Sequence, residues 1–145
     1  MNKKVRIKRI DKSLPLPEYQ TSGAAWFDLA ARERVVIPAH KVAYVPLNVA
    51  IAPPTGHFLL LAARSSLQKR GLTMANGVGI GDADFSGNED EYRAALRNFT
   101  DSDVVVERGD RIVQGLFIPV THVDFVEVEE MDKKTRGGFG STGVQ

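Results

Sequence analysis

Apolar residues come in short runs along the chain, rich in Val, Ile and Phe, and each run is cut off by glycine, proline, aspartate or asparagine. The stretches "RVVIPA", "KVAYVPLNVAIAPP", "GHFLLLAA", "DVVVERGD", "RIVQGLFIPV" and "HVDFVEVEE" all read as β-strands by length and residue type. The opening "NKKVRIKRI", with Val5, Ile7 and Ile10 among charges, reads as a strand with one solvated face. Only "SSLQKRGL", Ser65 to Leu72, has the marks of a helix, a serine start and a Gly71 stop, and it allows about two turns. The acidic "EDE", Glu89 to Glu91, reads as a solvated turn. Many short strands at near-regular spacing predict an all-β sandwich or barrel in one domain.

Composition narrows the function classes. A chain of 145 residues can bury a real core. With 26% charged residues and a net charge of +1, it lacks the basic excess of a nucleic-acid binder. There is no cysteine, so disulfides and thiolate chemistry are excluded, and His40, His57 and His122 show no ligand-like spacing. No apolar run approaches the ~20 residues of a membrane span and no signal-peptide pattern is present, so the cytoplasm is the expected compartment.

The stretch "GGFGSTG", residues 137–143, raises the first chemical question. Glycines let successive backbone N–H groups converge on an anion. A P-loop, however, requires Gly-Lys-Ser/Thr followed by a helix, and only Val144 and Gln145 remain beyond Gly143. A disordered tail is the bland alternative, and Phe139, an aromatic amid small residues, argues for a use. Four further clusters carry polar groups in apolar settings: "SGAAWFDLAA" with Asp28, "AARSSLQKRG" with Arg64 and Ser65, "NGVGIGDADFSG" with Asp82 and Asp84, and "RGDRIVQGLF" with Gln114. Singly, each is explained by a turn, an ion pair, a sheet-edge cap or a hairpin.

Together and in this order, the five stretches resemble the motifs of the homotrimeric dUTPase family, from Ser22 to Gly143. The resemblance implies an all-β jelly roll, or distorted β-barrel, with a core over residues 1–131 and a mobile glycine-rich arm over 132–145 that closes on the active site. It implies hydrolysis of dUTP to dUMP and pyrophosphate with Mg2+, in a homotrimer whose active sites are shared between subunits. Asp82 matches the base that orients the attacking water. Arg64, Ser65 and Ser66 match phosphate donors, and Asp28 and Gln114 match residues that hold the waters of the metal. Asn76, with the backbone of Gly79, Ile80 and Gly81, matches the uracil reader, and Phe85 the ring against deoxyribose. Phe139 would stack on uracil while Gly140, Ser141 and either Lys134 or Arg136 close on the phosphates.

Elementary chemistry agrees with these roles. A nucleoside triphosphate carries about four negative charges and needs cations and N–H donors around it. A carboxylate with an ordinary pKa of ~3.9 is a weak base, so positioning must carry much of the barrier. Several positions depart from the family pattern. Gly81 stands where a branched apolar residue is usual, Ser66 where Gly is usual, Phe85 where Tyr is usual, and Lys134 where the tail's Arg is usual. The segment "NEDEY" after Gly87 is longer than the common form. The dCTP deaminases share the fold but need a glutamate where this chain has Ser86, which argues against deamination. A nucleotide-binding regulator without catalysis would be favoured by a damaged Asp82 position, and that position is intact.

Overall fold

The structure, a computed structural model, describes residues 3–140. Eleven strands and one 3-10 turn follow in order: β1 (Arg6–Arg9), β2 (Phe27–Ala30), β3 (Val35–Ile37), β4 (Val42–Pro46), β5 (Val49–Ala52), β6 (His57–Ala63), the 3-10 turn Leu67–Arg70, β7 (Leu72–Met74), β8 (Gly79–Gly81), β9 (Arg93–Asn98), β10 (Val104–Val106) and β11 (Arg111–Pro119). They form a four-stranded sheet β2-β11-β6-β8, a three-stranded sheet β4-β9-β7, and two-stranded ribbons β1-β5 and β10-β3, every pairing antiparallel. No helix among the described residues is long and apolar enough to cross a membrane.

Alternation decides which face of each strand turns inward. In β2, Phe27 and Leu29 are buried and Asp28 points the other way; in β9, Ala94, Leu96 and Asn98 are buried between exposed arginines. These inward residues meet Ile37, Val45, Leu47, Ile51, Leu59, Leu67, Leu72, Val106 and Ile112 in one core. Central in the larger sheet, β11 pairs with β2 on one edge and β6 on the other. Gly115 permits this closeness, because a Cβ there would lie 2.7 Å from the Phe27 ring.

The run "KVAYVPLNVAIAPP" divides into β4 and β5, and the break is at Asn48, which adopts φ 69°. Asparagine tolerates this left-handed geometry, and its side chain closes the turn: Oδ1 accepts from the Asp11 N–H at 2.6 Å and Nδ2 donates to the Asp11 carbonyl at 3.0 Å.

Three expectations are corrected. The helix over Ser65 to Leu72 is a single 3-10 turn, Leu67–Arg70, ended by Gly71 at φ 78°. The segment "HVDFVEVEE" forms no strand: residues 121–130 lie exposed, with Phe125 95% exposed, because this single chain offers them no partner strand. The "EDE" turn is not a free solvated tip, since Glu91 takes both Arg32 Nε at 2.6 Å and Arg32 Nη2 at 3.2 Å and its side chain is only 9% exposed.

Asn98 is the most deeply committed polar residue. Fully buried, it donates from Nδ2 to the carbonyls of Ile37 (2.9 Å) and Ser102 (2.7 Å), and its Oδ1 accepts the Thr100 N–H and hydroxyl, each at 2.8 Å. Asn98→Ala should therefore destabilise the protein by about 3 kcal/mol, since the partners left behind stay buried. Thermal unfolding at fixed protein concentration should show the midpoint lowered by roughly 6–12 °C; a shift below about 2 °C would mean that the network is replaceable by water.

Candidate active site

The register of three strands builds the first cluster. Asp28 of β2 lies opposite Gln114 of β11, and Gln114 lies opposite Ala62 of β6, so the three form a row across the sheet with their side chains on one face. Arg64 follows directly on the end of β6. Its Nε meets Asp28 Oδ1 at 3.0 Å, and its Nη1 donates to the Arg111 carbonyl at 3.2 Å. Gln114 donates from Nε2 to the Ala63 carbonyl at 3.0 Å.

A fourth member was not foreseen from the sequence. Arg111 donates from Nη1 to Asp28 Oδ2 at 3.2 Å, so each oxygen of one carboxylate holds one guanidinium. Arg111 and Gln114 are three residues apart, an odd spacing that would put them on opposite faces of a regular strand. The pairing shifts between Arg111 and Val113, and this bulge aligns Arg111 with Ala30 and Gln114 with Asp28, returning both to one face. The available signal was the basic residue opening "RIVQG", but only the bulge gives it meaning. Two guanidiniums around one carboxylate leave local positive charge, and Arg64 and Arg111 remain 29% and 45% exposed while Asp28 is 9% exposed.

Ser65 and Ser66 lie exposed just beyond Arg64. Ser66 has φ −84° and ψ −13°, a right-handed conformation open to any residue, so serine in place of the family's glycine introduces no backbone strain.

The second cluster lies elsewhere. β8 pairs with β6 through Gly79 opposite Leu61 and Gly81 opposite Leu59, running away from Arg64. Five residues of extended strand, ~16 Å, separate Leu59 from Arg64. Within one chain, Asp82, the residue after Gly81, is therefore not brought to the Asp28–Arg64–Gln114 cluster. The segment from Asn76 to Phe85 forms no hairpin: β8 is the edge strand of the four-stranded sheet, and no strand among the described residues pairs with its outer side. That edge presents backbone N–H and C=O groups beside the exposed Asn76, with Ile80 58% exposed. After it, the Phe85 N–H donates to the Asp82 carbonyl at 3.1 Å, and the half-exposed Phe85 ring meets Tyr92 edge-on, centroids 5.2 Å apart.

The arm is separate from both clusters. Residues 132–140 are exposed, and Phe139, at φ 50°, is fully exposed between Gly137 at φ 83° and Gly140 at φ 86°. Lys134 and Arg136 lie in this exposed stretch, and Ser141 lies outside the described residues.

Comparison with known proteins now decides the family. The dUTPase family model matches residues 12–143. The chain belongs to the dUTPase family. It is 38% identical over 144 residues to a protein named deoxyuridine 5'-triphosphate nucleotidohydrolase in Helicobacter pylori strain J99, covering 97% of each chain. To the protein of the same name in Corynebacterium glutamicum it is 42% identical, covering 96% of this chain and 94% of that one. The solved dUTPase of Streptococcus mutans superposes with a TM-score of 0.75 at 36% identity, over 82% of this chain and 98% of that one. The Staphylococcus bacteriophage 80alpha dUTPase superposes with a TM-score of 0.85 over 99% of this chain and all of that one, and at 22% identity this likeness shows the fold alone. The sheets described above are thus the jelly roll of the dUTPases.

Proposed function

We propose that this protein hydrolyses dUTP to dUMP and pyrophosphate by attack of water on the α-phosphorus, which limits uracil incorporation into DNA and supplies dUMP for thymidylate synthesis. The observation that carries the reading is the convergence of Asp28, Arg64 and Gln114, three motif positions distant in sequence, at one end of a β2-β11-β6 row in a chain of this family. With Arg111 they make a cationic, directional donor set suited to a polyphosphate. Ser65 and Ser66 add hydroxyls beside Arg64. Asn76 and the free edge of β8 complement uracil, whose two carbonyls and one N–H match backbone donors and acceptors. Cytosine would leave one of those donors unpaired. The Phe85 ring packs against the sugar and excludes a 2'-hydroxyl, and Asp82 orients the attacking water and accepts its proton.

Mg2+ is the implied cofactor. Among the described residues no three His, Asp or Glu side chains come together, and both oxygens of Asp28 already face guanidiniums, so the donor set suits an ion held through water by Asp28 and Gln114. Held there by Asp28 and Gln114 through water, the ion would supply Lewis-acid neutralisation of phosphate charge.

The working unit is a homotrimer with active sites shared between subunits. Asp82 and the Arg64 cluster lie at opposite ends of β6, so a second copy must bring one to the other. Two surfaces support assembly: the exposed apolar residues Val123, Phe125, Val126 and Met131, and a groove of about 830 Å³ lined in part by Val5, Ile7, Tyr19, Phe27 and Phe117. The arm over 132–145 folds across the bound nucleotide, Phe139 on uracil and Gly140, Ser141 and Lys134 or Arg136 on the phosphates. The cytoplasm is the proposed compartment.

Pyrophosphate release measured in parallel with dUTP, dCTP, dTTP and UTP tests the reading. The kcat/KM for dUTP should exceed that for dCTP and UTP by at least ~10²-fold, and Asp82→Asn should lower kcat by roughly 10² to 10⁴ while dUTP still binds. Comparable turnover of dCTP, or release of ammonia from it, would sink the assignment. Truncation after Met131 should leave the fold and oligomer intact, because the last strand ends at Pro119, yet lower kcat/KM more than ~10²-fold. Full turnover by the truncated chain would remove the arm from the mechanism.

A further inference from the structure

Among the described residues, the Tyr92 hydroxyl is the one buried side-chain polar atom with no hydrogen-bond partner. The residue is 5% exposed and closes the "NEDEY" segment. Its backbone is pinned on both sides, the N–H donating to the Val49 carbonyl and the carbonyl accepting the Leu47 N–H, each at 2.9 Å. Its neighbour Glu91 is clamped by Arg32 and by the Asn48 N–H at 3.1 Å. The backbone that carries the ring is therefore held in place, and the residue itself is buried.

That place is the volume above Gly81. A Cβ on Gly81 would collide with the Tyr92 hydroxyl and lie 2.6 and 2.8 Å from its Cε1 and Cζ. Two departures from the family pattern, the glycine before Asp82 and the longer segment ending in Tyr92, are thus halves of one arrangement. The phenol lies where the missing side chain would be, one residue from Asp82 and in edge contact with Phe85. Burial, with the carboxylates of Asp82 and Asp90 adding to it, pushes the phenol up to about 12, so it keeps its proton and can only donate to an anion at neutral pH. Asp90 is already engaged by the Gly87 N–H at 2.7 Å. The Asp82 side chain is exposed and makes no hydrogen bond to the described residues.

Resting on the reading of this protein as a dUTP hydrolase, we propose that Tyr92 is a positioning residue whose hydroxyl donates to one oxygen of Asp82 once nucleotide closes the site. The other carboxylate oxygen then faces the attacking water. A glycine before the base leaves the backbone loose where placement governs rate, and the fixed phenol restores that placement from the side. An unpaired buried donor in the free protein, packed over the residue next to Asp82, is explained by a contact completed only on the reaction path.

Tyr92→Phe removes one oxygen and keeps the ring. It should lower kcat about 10-fold, leave the KM for dUTP within about 2-fold, and leave the thermal midpoint unchanged or raised, since the lost hydroxyl had no partner. Made in the Asp82→Asn background and followed in single turnover, the same change should cost less than about 2-fold, because the group through which Tyr92 acts is already altered. Unchanged kcat in Tyr92→Phe, or an equal loss in both backgrounds, overturns the inference while leaving dUTP hydrolysis intact. A wild-type protein that releases no pyrophosphate from dUTP overturns the reading beneath it as well.

Discussion

The largely shielded carboxylate of Asp28 between Arg64 and Arg111 is the constraint around which the larger sheet is organised. Moving a carboxylate out of water costs several kcal/mol, and only closely placed, hydrogen-bonded partners offset it. Here the partners come from two strand regions, the end of β6 and the bulged start of β11, and they converge on β2, which carries Asp28. A slip of one residue in either pairing of β11 would turn Gln114 and its neighbours to the other face and leave Asp28 uncompensated. Gly115 sets the spacing of the same strands by yielding its side-chain volume to Phe27. Core packing and site geometry are therefore fixed by one register.

The same register keeps Asp82 apart from the Arg64 cluster within one chain. Running antiparallel to β6, β8 delivers Asp82 toward the far end of the strand that ends in Arg64. The β8 edge and the Arg64 cluster are each firmly supported, the first by Tyr92, Glu91 and Arg32 and the second by Asp28, and within one chain they stay apart. The exposed apolar residues beyond β11, Val123, Phe125, Val126 and Met131, form a surface of the kind that a second copy would cover under the proposed assembly.

Much of this was legible in the sequence. Strand composition and turn residues located β3, β6, β10 and β11, and motif order located the family. The strands β2, β7, β8 and β9 were hidden: the first three have only three or four residues outside the Val/Ile-rich runs, β8 is mostly glycine, and β9, RAALRN, carries no β-branched or aromatic residue. Arg111 was hidden by the bulge, which breaks the parity that sequence spacing assumes. "HVDFVEVEE" has strand composition without a strand partner in this chain, a case where propensity is a statement about neighbours. "EDE" reads as a solvated turn, and only the fold reveals that Glu91 and the following Tyr92 turn inward to Arg32 and Gly81.

The central claim is that one catalytic centre draws Asp82 from one subunit and the Arg64 cluster from another. It is tested most directly by mixing two inactive variants, Asp82→Asn and Arg64→Gln, each folded, under conditions that let subunits exchange. Random reassembly should create sites holding both native residues and restore dUTP hydrolysis to roughly a quarter of the wild-type rate. A mixture that stays as inactive as its two components, despite demonstrated subunit exchange, would contradict the account.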